Sequence, residues 1–211
     1  MSRYDATTVL GDSRLHIREL YIKNPLVGVY NGIAYEDLVV RDEGGERIVS
    51  KGRVLRSFFD EAEGVEKLDL DGSPLGVISH VEIQIAGYSL ARALQIGKDN
   101  DPELSATKYN PTVNKGDQRY RVGSIRFAFP LDLEENYVFA GMREQRIMRT
   151  ADGEVEMEES RQFSESLEHE STINMLHPLN DTVIGQLTLR DVSVAFYSLA
   201  RSMQIVADQE G

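Results

Sequence analysis

The chain has 211 residues, 41% of them hydrophobic, with 35 acidic and 23 basic residues and neither cysteine nor tryptophan. The missing cysteines exclude a disulfide framework, a thiolate metal site and a cysteine nucleophile, and a net charge of −12 disfavours phosphate binding, which rests on lysine and arginine. No charged-then-apolar leader opens the chain and no apolar run reaches the roughly 18–20 residues of a membrane span, so the expectation is a virion or cytoplasmic protein with no membrane partner.

In chain order, residues 1–11 are polar and without periodicity, an arm able to reach a neighbour. Leu15–Ile22 and Ile33–Val40 are rich in β-branched and aromatic residues and are broken by Asn24-Pro25 and Asn31-Gly32, which reads as strands joined by turns. Asp42-Glu43-Gly44-Gly45 supplies a turn with residues able to take φ > 0. Val54, Leu55, Phe58, Phe59 and Ala62 then fall on one face of a helix ending near Gly64. Phe163 and Leu167 occupy corresponding places on a second helix, which Glu158, Glu159, Glu165, Glu168 and Glu170 make strongly negative. Val65–Leu70 runs into Asp71-Gly72, a hairpin signal, and a strand follows from Val77 through Ile83 and Ile85.

At Ala86-Gly87 the apolar phase slips by one. Either a bulge at Gly87 carries the strand onward, or a helix begins near Ser89. The run Leu-Ala-Arg-Ala-Leu favours helix, whereas the alternation of Tyr88, Leu90, Arg92, Leu94 and Ile96 favours strand, and strand is the expectation. Asp101–Tyr120 follows, with two prolines, a glycine and little apolar periodicity, and has the composition of a linker.

Tyr-Ser-Leu-Ala-Arg occurs at Tyr88–Arg92 and again at Tyr197–Arg201, 109 positions apart. Laid without a gap, Leu75–Ile96 and Ile184–Ile205 agree at nine of 22 positions, and the same offset pairs Val29–Gly32 with Val138–Gly141 and Gly44 with Gly153. This reads as a duplication. The alternative is one fold that happens to contain two similar hairpins. The expected fold class is mainly β (α+β): two tandem β-barrel or sandwich units, each with one flanking helix. The expected division is an N-terminal arm at 1–11, a first unit at 12–102, a linker at 103–120 and a second unit at 121–211.

Signatures of chemistry are few. His16, His80, His169 and His177 lack the spacing of a zinc site; His169 reads as part of a solvated helix face and His80 as a surface or semi-buried strand position. Asp69-Leu70-Asp71-Gly72-Ser73 opens like a calcium loop, but His80 falls where the closing glutamate belongs, so a tight hairpin is the better account. There is no phosphate loop, dinucleotide-binding glycine pattern or serine elbow, and no catalytic residue, cofactor or metal is expected. Lys115, Arg119, Arg121 and Arg126 form a basic strip, read as a solvated strand edge.

The residues singled out for an interface are Tyr88, Arg92, Tyr197 and Arg201. An arginine inside an apolar segment needs a carboxylate, a carbonyl or water, and Glu82, Asp191 or a neighbouring subunit can supply it. Two similar units present quasi-equivalent surfaces, which favour closed rings. The function expected is a non-enzymatic structural protein that self-assembles into a ring or tube, with a trimer favoured, as in phage tails and related injection machines. Its partners are other copies and other structural subunits, with nucleic acid at most through a central channel. The alternatives are a trimeric sliding-clamp-like factor encircling DNA, or a ligand-binding or enzymatic β-barrel without a recognisable motif.

Overall fold

A computed structural model describes residues 4–23, 30–60, 62–99, 113–131 and 137–210. Among these residues the chain is mainly β, with a sheet curled into a half-barrel and two helices. Its first half runs β1 (Ser13–Lys23), β2 (Tyr30–Asp42), β3 (Gly45–Phe59), β4 (Gly64–Leu68), β5 (Pro74–Ser79) and α1 (His80–Asp99). The second runs β6 (Gln118–Ala128), β7 (Tyr137–Thr150), β8 (Gly153–Glu168), β9 (Thr172–Leu176), β10 (Val183–Thr188) and α2 (Leu189–Glu210).

Six long strands form one antiparallel sheet in the order β3-β2-β1-β6-β7-β8. The seam between the halves is β1 on β6, from Glu19↔Ala128 to Lys23↔Ser124. Register shifts interrupt β1 after Ile17, β2 after Tyr35, β6 after Val122 and β7 after Gln145. Bulges of this kind sharpen the local twist, which is what curls a sheet.

The helices lie on one face of the sheet and contact each other. The hairpin β4–β5 packs on α2 and the hairpin β9–β10 packs on α1, so each half covers the helix of the other. Sheet below, hairpins above: both helices are buried on nearly all sides. Ile83, Ala86, Leu90, Ala91 and Leu94 of α1 join Val192, Ala195, Phe196, Leu199 and Met203 of α2 in one core with Leu20, Ile22, Ile125 and Phe127 of the sheet. Gly87 lies where a Cβ would meet the Phe196 ring and Ile125 at 3.3 Å, which is why the helices pack so closely there.

Local chemistry starts each helix. Ser79 Oγ accepts from the Glu82 amide at 3.2 Å while Glu82 Oε2 accepts from the Ser79 amide at 2.8 Å. Thr188 and Asp191 repeat this reciprocal cap at α2, at 3.1 and 2.9 Å. At the β4–β5 turn the Asp69 amide donates to Ser73 O at 2.8 Å, and Gly72 takes φ +85°.

The strands expected at Leu15–Ile22, Ile33–Val40 and Val65–Leu70 and the turns at Asp42–Gly45 and Asp71-Gly72 are present. Several expectations are corrected. Asn31-Gly32 lies inside β2 and is not a turn, and the strand expected from Val77 through Ile83 and Ile85 stops at Ser79, where α1 begins. Tyr88–Arg92 and Tyr197–Arg201 are helical, not strand, and Gly87 is a packing site, not a bulge. The helix expected at Val54–Ala62 is instead the end of β3, with Leu55 and Phe59 buried and Val54 and Phe58 exposed. Phe163 and Leu167 likewise belong to β8. Of the linker at 103–120, residues 103–112 lie outside the described residues, and Gln118–Tyr120 already belong to β6.

Candidate functional site

The repeated pentapeptide forms the buried seam between each helix, the sheet beneath it and the hairpin above it. On α1, Ser89 Oγ donates to Ile85 O at 2.6 Å and accepts from the Leu176 amide of β9 at 2.9 Å. On α2, Ser198 Oγ donates to Val194 O at 2.7 Å and accepts from the Leu68 amide of β4 at 2.9 Å. Each serine therefore satisfies a backbone donor at the end of the opposite hairpin strand.

The arginines reach the sheet through glutamines. Arg92 Nη1 donates to Gln95 Oε1 at 3.2 Å, Gln95 Nε2 donates to Glu144 Oε1 of β7 at 2.5 Å, and Arg161 of β8 donates to Glu144 Oε2 at 2.6 Å. Arg201 Nη1 donates to Gln204 Oε1 at 3.1 Å, Gln204 Nε2 to Glu36 Oε1 of β2 at 2.7 Å, and Arg53 of β3 to Glu36 Oε2 at 2.7 Å. Glu36 and Glu144 are almost wholly buried, so their charges depend on these partners.

The far ends differ. Arg92, only 1% exposed, is held in a fork by Asp181, with Nε to Oδ1 at 3.1 Å and Nη2 to Oδ2 at 2.8 Å. The Tyr88 hydroxyl donates to the same Oδ1. Burial, reinforced by Asp181, raises the Tyr88 pKa and keeps its proton in place. Asp181 sits in the β9–β10 turn at φ +56°, where the other hairpin has Gly72. A glycine offers no carboxylate, so Arg201 is served differently: Asp5 lies 3.6 Å from Nη2 and the Tyr4 ring lies 4.2 Å from Cζ. Among the described residues Arg201 Nε is buried with no hydrogen-bond partner, and burial lowers the Arg201 pKa.

All four residues assigned to an interface, Tyr88, Arg92, Tyr197 and Arg201, thus lie inside this chain, and neither Glu82 nor Asp191 is the arginines' partner. Tyr4 and Thr7 place the described part of the N-terminal arm on this chain too, through Gln204 O at 3.1 Å and Glu46 Oε1 at 2.8 Å.

Elsewhere, buried charge is again paired. Arg14 with Glu46 and Arg119 with Glu154 form matching forks, the shorter bonds at 2.7 and 2.8 Å. Burial pushes Glu46 up, but the Arg14 guanidinium and the Thr7 amide outweigh it and hold the carboxyl down to about 2. His16 Nδ1 faces Arg14 Nη1 at 3.5 Å and so must accept, leaving the proton on Nε2 to meet Phe129 O at 3.2 Å. Burial, then the Arg14 charge, lowers the His16 pKa to about 4.

The other histidine expectations need correction. His80 is buried as the first residue of α1, with Nδ1 3.0 Å from the Tyr30 hydroxyl. His169 is in the turn after β8, also buried, and its pKa is lowered by burial and by Arg190. Of the basic strip, Lys115 lies exposed in the turn before β6, while Arg119, Arg121 and Arg126 lie on β6 and meet Glu154, Glu156 and Glu19; β1 pairs with β6 only from Ser124 to Ala128, so Arg126 alone sits between two strands. An open groove of about 480 Å³ crosses the helix-free sheet face, lined by Tyr21, Lys23, Ser124, Arg126, Arg143 and Gln162. Among the described residues no three His, Asp or Glu side chains gather as a metal site would require, and no helix is long and apolar enough to cross a membrane.

Asp181 escaped the reading of the sequence. Its signal was present: an aspartate at the position where the other hairpin needs a glycine. Neither a family of known proteins, a curated protein nor a solved structure matches the chain. The arrangement uses arginine, glutamine and glutamate to lock layers together.

Proposed function

We propose that the chain is a duplicated unit and serves as a non-enzymatic structural protein that self-assembles into a ring or tube, a virion or tail-like component. The observation carrying this reading is the sheet. It is curled, it is open at both ends, and its edge strands β3 and β8 are 15 and 16 residues long, well beyond the five or six usual for a strand. Long open edges are templates for another chain. The recurrence of the caps, the serine contacts and the arginine–glutamine–glutamate relays in both halves supports duplication. Exposed apolar residues at corresponding places on the hairpins, Leu75 on β5 and Ile184 on β10, supply further quasi-equivalent surface.

A sliding clamp fits less well, because it needs helices facing DNA with a basic lining, and here both helices are enclosed between sheet and hairpins. Nucleic acid enters the proposal only through the channel of a closed ring. The test is native mass by light scattering behind a sizing column at several concentrations. A discrete trimer, a larger ring or concentration-dependent tubes supports the reading. A monomer at every concentration refutes it.

A further inference from the structure

We propose, building on the self-assembly reading, that the contact between neighbouring copies is β3 of one chain pairing antiparallel with β8 of the next, head to tail. Among the described residues nothing pairs with the outer side of either strand. The two edges carry opposite charge. β3 holds Arg47, Lys51, Arg53 and Arg56 against a single acid, Glu46, whereas β8 holds six glutamates against a single base, Arg161. Arg53 and Glu46 of β3, and Arg161 and Glu154 of β8, are taken by the buried pairs already described. Arg47 also meets Asp42 at 2.6 Å and Glu156 meets Arg121 at 3.8 Å, yet both stay largely in solvent, so the exposed charge is complementary: Arg47, Lys51 and Arg56 on one edge, Glu156, Glu165 and Glu168 on the other.

Charge on an edge strand ordinarily discourages pairing. Here it does so selectively. β3 against β3 and β8 against β8 each bring like charges face to face, which costs several kcal/mol across an interface, while β3 against β8 brings opposite charges together. Direction agrees with charge. Because every neighbouring pair in the six-stranded sheet is antiparallel, β3 and β8 run in opposite directions. A second copy rotated about an axis along the strands therefore offers β8 antiparallel to β3, and the alternation continues unbroken from chain to chain. A register with Arg47 opposite Glu168 brings Lys51 within one residue of Glu165. Exposed Ile48, Val49, Val54 and Phe58 on β3, with Val155 on β8, add apolar area to the contact. Such an interface is heterologous, and it yields a ring where the curl closes and an open filament where it does not.

The test uses two full-length variants. One reverses β3 (Arg47→Glu, Lys51→Glu, Arg56→Glu) and the other reverses β8 (Glu156→Lys, Glu165→Lys, Glu168→Lys); circular dichroism and a thermal melt select preparations folded like the parent. Each variant alone should associate on the order of a hundredfold more weakly than the parent, the size expected for like charges in a contact. Mixed in equal amounts they should regain assemblies of parental mass, since each reversed edge then meets an opposite one. If the parent assembles and the folded variants assemble equally well alone, or fail to recover on mixing, the β3–β8 contact is wrong while the self-assembly reading stands. If the parent is a monomer at every concentration, both fall.

Discussion

Asp181→Asn separates charge from shape at the most deeply buried ion pair among the described residues. Asparagine tolerates the left-handed backbone at φ +56° nearly as well as aspartate, so the turn itself should not be strained. What changes is Arg92, 1% exposed, which loses the charge of its Asp181 fork. At a charge separation of about 4 Å and an effective dielectric near 20 the lost attraction is about 4 kcal/mol. Removal of one member of a buried pair costs about 3–5 kcal/mol. For a chain of this length that lowers the melting temperature by roughly 6–20 °C. The counterpart, Asp5→Asn, acts on a carboxylate 37% exposed and 3.6 Å from Arg201, and should cost under about 1 kcal/mol. Urea unfolding of both variants beside the parent reads the difference. Equal losses, or an Asp181→Asn loss below about 1 kcal/mol, would refute the claim that the two repeated arginines are held by unequal means. The double variant Arg92→Met/Asp181→Asn removes the buried charge along with its partner and should recover part of the loss.

Acid should act in two steps. The His16 pKa is lower in the folded chain, about 4 against 6.5, so the unfolded chain takes up a proton that the folded one refuses. Stability is complete above about pH 6.5 and falls by up to about 3 kcal/mol as pH drops toward 4, a slope that His16→Gln should flatten in urea titrations at several pH values. Glu46 follows at lower pH: its depressed pKa lends stability above about 4.5 that is lost as pH falls toward 2, and Glu46→Gln should shrink that window in the same assay. Ser79→Ala and Thr188→Ala remove equivalent caps and should each cost about 1 kcal/mol in thermal melts; a loss at one helix alone would contradict their equivalence. Gly52→Ala sets a Cβ 2.9 Å from Glu36 O, a backbone atom, at the β3 bulge, and should cost about 1–3 kcal/mol by urea unfolding.

The fold was legible where turn chemistry and alternation agreed, as in β1, β2 and the hairpin at Asp71-Gly72. It was misread where a pattern admitted two periods. Tyr88, Leu90, Leu94 and Ile96 alternate like a strand only while the small residues are ignored. Ile83, Ala86, Gly87, Leu90, Ala91 and Leu94 fall at helical spacing, and five of them form part of the core. The converse error occurred in β3. Val54, Leu55, Phe58 and Phe59 satisfy a helix template, but Leu55 and Phe59 point inward while Val54 and Phe58 point out, as an edge strand with solvent on one face permits. The relay residues were beyond local patterns altogether. Glu36 meets Gln204, 168 residues away in sequence, and Glu144 meets Gln95, 49 residues away, and no spacing rule joins them.

The relays also explain why one pentapeptide suits both helices. Its leucine and alanine fill the core, its serine closes the opposite hairpin, and its arginine begins a path to the sheet through a glutamine three residues on. Each demand comes from a different layer, so a change at one position cannot be offset by its neighbours in sequence. Asp181 and Asp5 sit outside the pentapeptide and are free to differ. Stability should therefore respond alike to substitutions at Ser89 and Ser198, whose surroundings match, and unlike at Arg92 and Arg201, whose surroundings do not. Matching serines with unequal arginines is the pattern expected of two copies that kept their shared packing and diverged only in what completes it.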